Sequence, residues 1–277
     1  MKKIGFKTGL MALAVFAFAA CSSNNEVGNL TFKKFTNEEN IYLMGDKNAP
    51  HAEFSLNMEY PVKGEPSIHH WVQEQISDFV LGTSYGPLEP QAAVDKYAET
   101  YKNDYLSDVE SLYKEELAEV GDASKVGVWY NYYQHMESTV DFYAKSLLVI
   151  ESTISDFTGG AHGIHLVNYL NLDLTNLNKV RIQDIFNANY EANLVSLIKD
   201  QFKKDLKAES LEDVGFWEDS IQPTENMKLS ATGITFLYNV YEIAPYAMGA
   251  QEVTLTYAQL SDLLNKENPI IKELLNI

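Results

Sequence analysis

The sequence predicts an α+β fold in two subdomains, with antiparallel sheets and helices packed on them. Three observations point to it. Segments that alternate at period two and segments that repeat at 3.6 come in blocks, not in strict succession. Most neighbouring strands are joined by too few residues for a crossover helix. The 277 residues, 45% of them hydrophobic, suffice for one large core or two ordinary ones.

Residues 1–20 form a predicted lipoprotein signal peptide. Lys2, Lys3 and Lys7 precede an apolar run, Leu10 to Ala20, which is about half of the ~20 residues a membrane-spanning helix needs. The run ends in Phe18 Ala19 Ala20 Cys21, which resembles the lipobox of bacterial lipoproteins, with Phe18 where leucine is commoner. Cys21 is the single cysteine, so it cannot form an intrachain disulfide. Lipid attachment is its expected use, with the membrane as a partner through that lipid. Residues 21–30, beginning with the polar Ser22 to Glu26, are expected to be a tether. The body is then expected to divide into subdomains 31–157 and 158–277, parted at Thr158 Gly159 Gly160. Its location follows as the cell envelope, lipid-anchored and extracytoplasmic.

The formal charge is −18. Loss of Lys2, Lys3 and Lys7 with the signal takes it to −21, a field that repels nucleic acid and favours encounter with a basic partner.

Glu53 to Tyr60 alternates polar and apolar, a strand with Phe54, Leu56, Met58 and Tyr60 on one face, ended or edged by Pro61. From Ser67, a plausible N-cap, the period changes. Ile68, Trp71, Val72, Ile76, Phe79 and Val80 fall on one side of a helix that stops before Gly82. A second helix carries Val94, Tyr97, Ala98, Tyr101 and Tyr105. Two long antiparallel strands are expected from about Lys125 to Ser155, the first with Val126, Val128, Tyr130 and Tyr132 on one face. The second carries Val140, Phe142, Ala144, Leu148, Ile150 and Ile154. Thr175 to Asn178 turns a hairpin between Leu166–Leu174 and Val180–Ile182. A helix over Tyr190–Lys207 follows, then strands Gly233–Val240 and Glu252–Thr256, and a short helix from Pro269.

Two stretches stand out chemically. In Asp156 to His165 the glycines Gly159 and Gly160 permit a tight turn. His162 and His165 are candidate metal ligands only off a strand, since positions three apart on a strand face opposite ways. No further ligand at recognisable spacing completes a site, so no metal is expected. In Tyr238 to Gly249, Tyr241, Glu242 and Tyr246 form an aromatic loop shaped by Pro245 and Gly249. Tyrosines there offer rigid area for a saccharide or a protein, or seal the end of a sheet. His69 and His70 fit a helix surface. The sequence has no phosphate-binding glycine loop, serine elbow or HExxH pair. No cofactor is expected, and a binding protein is favoured over an enzyme. The alternative is an envelope glycan or peptide hydrolase using His162 and Glu242.

Phe157 to His162, Tyr169 to Leu174, Asp184 Ile185 Phe186, and Gly233 to Val253 resemble the paired domains of unknown function of lysozyme-sensing anti-sigma factors. The same domains occur in the non-catalytic part of some peptidoglycan deacetylases. The resemblance spans about Glu53 to Leu264 and implies two α+β subdomains, the second from a family in which some members bind lysozyme. A lipid anchor replaces the cytoplasmic region and span of the sensors, and a deacetylase domain is missing. Recognition of lysozyme or peptidoglycan is what the resemblance implies, through His162, Tyr241, Glu242 or Tyr246.

Overall fold

A computed structural model describes residues 26–276; the expected signal peptide and Cys21 lie outside them. Among the described residues no helix is long and apolar enough to cross a membrane. Of the expected tether, residues 26–30 are described and are packed instead of free. Val27 and Leu30 are apolar, and Leu30 is buried. Tyr143 donates its hydroxyl to Val27 O at 2.8 Å and accepts from Leu30 N at 3.1 Å.

The chain folds as α+β, with a six-stranded and a three-stranded sheet. Strand β1, Thr31–Tyr42, is an edge. Its run of lysine, asparagine and glutamate lacks the alternation expected of a half-buried strand, which hides it from a hydropathy reading. It pairs antiparallel with β2, His51–Lys63, where Phe54, Leu56, Met58 and Tyr60 are buried as their spacing predicts. Pro61 sits within β2, opposite Phe32 at a register shift, so the edge partner absorbs its missing N–H.

Helices α1, Pro66–Val80, and α2, Pro90–Val120, then cover this face. Pro66 occupies the first turn of α1, where its absent N–H costs nothing. Glu65 holds the N-cap position expected of Ser67, whose hydroxyl instead donates to the Glu65 carboxylate at 3.1 Å. Ile68, Val72 and Ile76 bury against β2, and Val94, Ala98, Tyr105, Val109 and Tyr113 form the inner stripe of α2.

The two helices form a crossover, so β2 pairs parallel with β3, Tyr132–Ala144. Among the described residues this is the one parallel pair, the other pairings being antiparallel. The strand expected from Val126 begins only at Tyr132, because residues 123–125 and 128–130 are 3-10 turns. Tyr130 is buried toward α2, not into a sheet. Its hydroxyl donates to Glu116 at 2.8 Å and its ring meets Tyr113 edge-on. Val128 is left 78% exposed.

Strand β4, Leu147–Phe157, completes the expected hairpin with β3. It also pairs with β5, Ile164–Asp173, so hydrogen bonding continues across residue 158. Opposite faces of the sheet serve different cores. Leu148, Ile150, Leu170 and Leu172 point to α1 and α2, whereas Leu147 and Val149 join the C-terminal core. The hairpin partner of β5 is brief: β6 is only Asn178–Lys179.

The C-terminal core is closed by α3, Ile182–Ile185, and α4, Glu191–Leu206, with the sheet β7, Met227–Leu229, β8, Gly233–Tyr238, and β9, Gln251–Thr256. The last helix, α5, Pro269–Leu274, is capped by Asn268, which accepts from Ile270 N and Ile271 N. Leu194, Ile198 and Phe202 of α4 are buried there as expected.

The small sheet docks on the bare edge of β5 through asparagine side chains. Asn239 accepts from Val167 N at 2.9 Å and donates to Val167 O at 3.0 Å. Asn226 accepts from Tyr169 N at 3.0 Å and also donates to Val167 O, at 2.8 Å. Asn171 reaches the other way, donating to Met227 O at 2.7 Å and accepting from Leu229 N at 3.0 Å. Each amide side chain, with one donor face and one acceptor, replaces a stretch of neighbouring strand.

Asn171→Ala would remove two buried hydrogen bonds and strand two backbone groups, lowering stability by about 2–4 kcal/mol. Urea unfolding checks this, and a loss below about 0.5 kcal/mol would mean the edge is held otherwise. The buried tyrosines make a second prediction. Burial raises Tyr60 and Tyr169 to about 12 and pushes Tyr105, Tyr238 and Tyr257 further up. The unfolded chain releases these protons near 10, so stability is intact below that pH and falls as pH rises past it. Tyrosinate absorbance should appear together with loss of circular dichroism. Titration of these tyrosines near 10 in an intact fold would contradict it.

Candidate functional site

The turn between β4 and β5 and the loop between β8 and β9 meet. In the turn, Gly159 has φ +81°, and a Cβ there would lie 2.4 Å from Trp129 O, so only glycine lets the turn lie on the 128–130 segment. Gly163 permits a second close approach, its Cβ position being 2.4 Å from the Tyr133 hydroxyl and 2.8 Å from Asp156 O. Gly160, expected to share the role of Gly159, has room for a side chain.

The loop is anchored at both ends. Asn239 is fixed on β5, and Ile243 and Ala244 are buried, with Ile243 O accepting from Trp217 N at 2.8 Å. Pro245 starts the 3-10 turn Tyr246–Met248, and Gly249 ends it with φ +71°. Between these anchors Tyr241 stands 52% exposed with φ +69°. That left-handed conformation costs a non-glycine residue about 1–2 kcal/mol.

His162 is where the two segments join. Its ring stacks on Tyr246 at 4.1 Å and 25°. Nδ1 lies 3.0 Å from Gly163 O, and a carbonyl only accepts, so Nδ1 carries the proton. In the neutral imidazole Nε2 then accepts the Tyr241 hydroxyl at 3.2 Å. The Tyr246 hydroxyl donates to the same Gly163 O at 2.7 Å. These groups, with Asp156, Phe157 and Thr158, line a pocket of about 150 Å³. Tyr133, which sequence reading passed over, extends the aromatic surface by stacking on Phe157 at 5.7 Å.

Two expected partners are not brought together. Glu242 uses a carboxylate oxygen to accept Asn239 N at 2.9 Å, closing its own turn, while His162 is engaged by Tyr241, Tyr246 and Gly163. His165 lies on β5 and pairs through Nδ1 with Ser155 Oγ at 2.8 Å, apart from His162. Among the described residues no group of three or more His, Cys, Asp or Glu side chains gathers as a metal site. His69 hydrogen-bonds Pro61 O at 2.8 Å, tying α1 to β2. The arrangement of His162 and the two tyrosines provides stacking faces and hydroxyl groups at a solvent-open surface.

The model of the family described as protein of unknown function DUF3298 matches residues 183–258, which include the aromatic loop but not the glycine–histidine turn. The chain is similar to the crystal structure of a DUF3298 family member from Bacteroides fragilis NCTC 9343, with 36% identity and a TM-score of 0.86 over 91% of this chain and 100% of that one. A DUF3298 family protein from Pseudomonas aeruginosa PAO1 shares the fold, with 17% identity and a TM-score of 0.61 over 85% of this chain and 94% of that one. No curated protein matches the chain.

The Tyr246 hydroxyl bond to Gly163 O predicts that Tyr246→Phe loosens the turn by about 0.5–1.5 kcal/mol. Amide exchange at residues 159–165 should quicken while α4 stays unchanged. Equal exchange in both proteins would show that the turn holds its shape without the loop.

Proposed function

The chain belongs to the DUF3298 family of proteins of unknown function, and from that premise we propose that it is a lipid-anchored binding protein of the bacterial envelope that recognises lysozyme. The anchor is Cys21, and the body faces outward from the membrane that holds it. The observation that carries the reading is the contact of His162 with Tyr241 and Tyr246. It joins the two stretches on which the resemblance to the lysozyme sensors rests. Tyrosines held in place lose little entropy on binding and present both an apolar face and a hydroxyl. Tyr241 keeps a strained backbone while exposed, a combination that favours a contact role over a packing role. The formal charge of −18 supports a strongly basic partner, because complementary fields steer encounter. Within the same reading the cell-wall glycan is the competing ligand for the stacked rings.

Calorimetric titration of the full-length chain in detergent micelles with lysozyme, at low and near-physiological salt, tests it. Saturable binding should persist at the higher salt, and Tyr241→Ala should weaken it about tenfold, as for an exposed aromatic anchor. Binding that vanishes on screening, or that is indifferent to Tyr241, would overturn lysozyme as the partner.

A further inference from the structure

A larger groove lies beside the turn, between α2 and the start of β3. It has a volume of about 440 Å³, and Tyr101, Asp104, Tyr105, Asp108, Tyr132 and Thr158 line it. Only Thr158 is shared with the pocket at His162. Three of the seven lining residues, which also include Ser107, are tyrosines, and the rings of Tyr105 and Tyr132 lie 5.3 Å apart. The Tyr105 hydroxyl is turned away, donating to Tyr130 O at 2.9 Å, which fixes its ring as wall. The Tyr132 hydroxyl donates to Asp108 at 2.8 Å, holding one carboxylate at the rim while its second oxygen remains available. No basic residue lines the groove.

Beyond Thr158, the glycine turn rests on the carbonyl of Trp129. Trp129 is 53% exposed and its neighbour Val128 78% exposed. The Trp129 ring lies over Gly127 and next to Tyr130, and tryptophan is enriched among the residues that carry binding energy at protein interfaces. Aromatic faces attract cations through their quadrupole, and a planar guanidinium stacks on a ring while its N–H fork meets carboxylates, which an ammonium does less well.

We propose that this groove binds the arginine side chain of a basic protein partner, with the guanidinium between the tyrosine walls and Asp104 and Asp108, and with Trp129 and Val128 as flanking contacts. The acidity of the whole chain, −18 by formal charge, selects a basic partner and repels an acidic one. The site stands on different residues from the His162 cluster, so it survives if lysozyme is not the ligand there.

The test uses the full-length chain in detergent micelles and three peptides of alternating glycine with arginine, lysine or citrulline, titrated at near-physiological salt. The arginine peptide should bind more tightly than the lysine peptide, and the citrulline peptide should not bind. Asp104→Asn with Asp108→Asn should weaken arginine binding about tenfold, the scale of a lost charge-assisted contact. The control pair Glu212→Gln with Asp213→Asn, exposed on the 212–214 turn, removes the same charge elsewhere. It should leave binding within about twofold. Equal weakening by both pairs would reduce the effect to diffuse charge, and citrulline binding equal to arginine would remove the cation from the account. Either result overturns the site.

Discussion

A strand edge with no strand beside it is the constraint on which the rest of this molecule depends. Strand β5 closes the six-stranded sheet, yet β6 covers only Leu172 and Asp173. An open edge of that length would leave backbone donors and acceptors unpaired, or invite another chain to pair with them. Asn239 and Asn226 pair backbone groups of β5, and Asn171 reaches from β5 to pair Met227 O and Leu229 N of the small sheet, without an added strand. Because two of the three belong to the small sheet and its loop, satisfying the edge also decides where that sheet sits. The aromatic loop is carried to the glycine–histidine turn as a consequence of edge pairing.

The two cores follow from the same arrangement. One sheet, buried on both faces through β4, gives Leu148 and Ile150 to the helices of the N-terminal half and Leu147 and Val149 to the C-terminal half. Each half therefore contributes to burying the same strand, and neither face of β4 can be exposed cheaply at ~25 cal/mol per Å² of apolar surface. The site grows at the end of this shared sheet, where neither core reaches. Gly159 lies on Trp129 O there, and His162 stacks on Tyr246.

Much of this was legible in the residues, for physical reasons that can be named. Alternation exposed β2 because one face of it is fully buried, and the tyrosine stripe exposed α2 because it too has a single inner face. β1 was hidden because, as an edge strand, it buries little on either side. Val126 to Tyr130 imitated a strand because Tyr130 is buried, though against α2 through Glu116 and Tyr113. The turn and the loop were each visible as unusual local sequence, but Asn239 inside the loop carried no signal of its own. The meeting of turn and loop was not visible, since Tyr241 and His162 are 79 residues apart and are joined by asparagine side chains that carry no periodic signal. Glu242 looked chemical and serves as a turn closure. Tyr132 and Asp108 were read as strand and helix, which they are, and nothing in either periodicity marks that they line one groove.

The central claim, that asparagine side chains stand in for a missing strand along β5, is tested most directly by native-state hydrogen exchange at the amides of Val167 and Tyr169. Both N–H groups donate to side-chain oxygens, of Asn239 and Asn226 respectively. The account predicts protection approaching that of the amides inside the sheet, and loss of that protection at Val167 alone when Asn239 is replaced by alanine. Exchange of both amides at the rate of an open strand edge would contradict it.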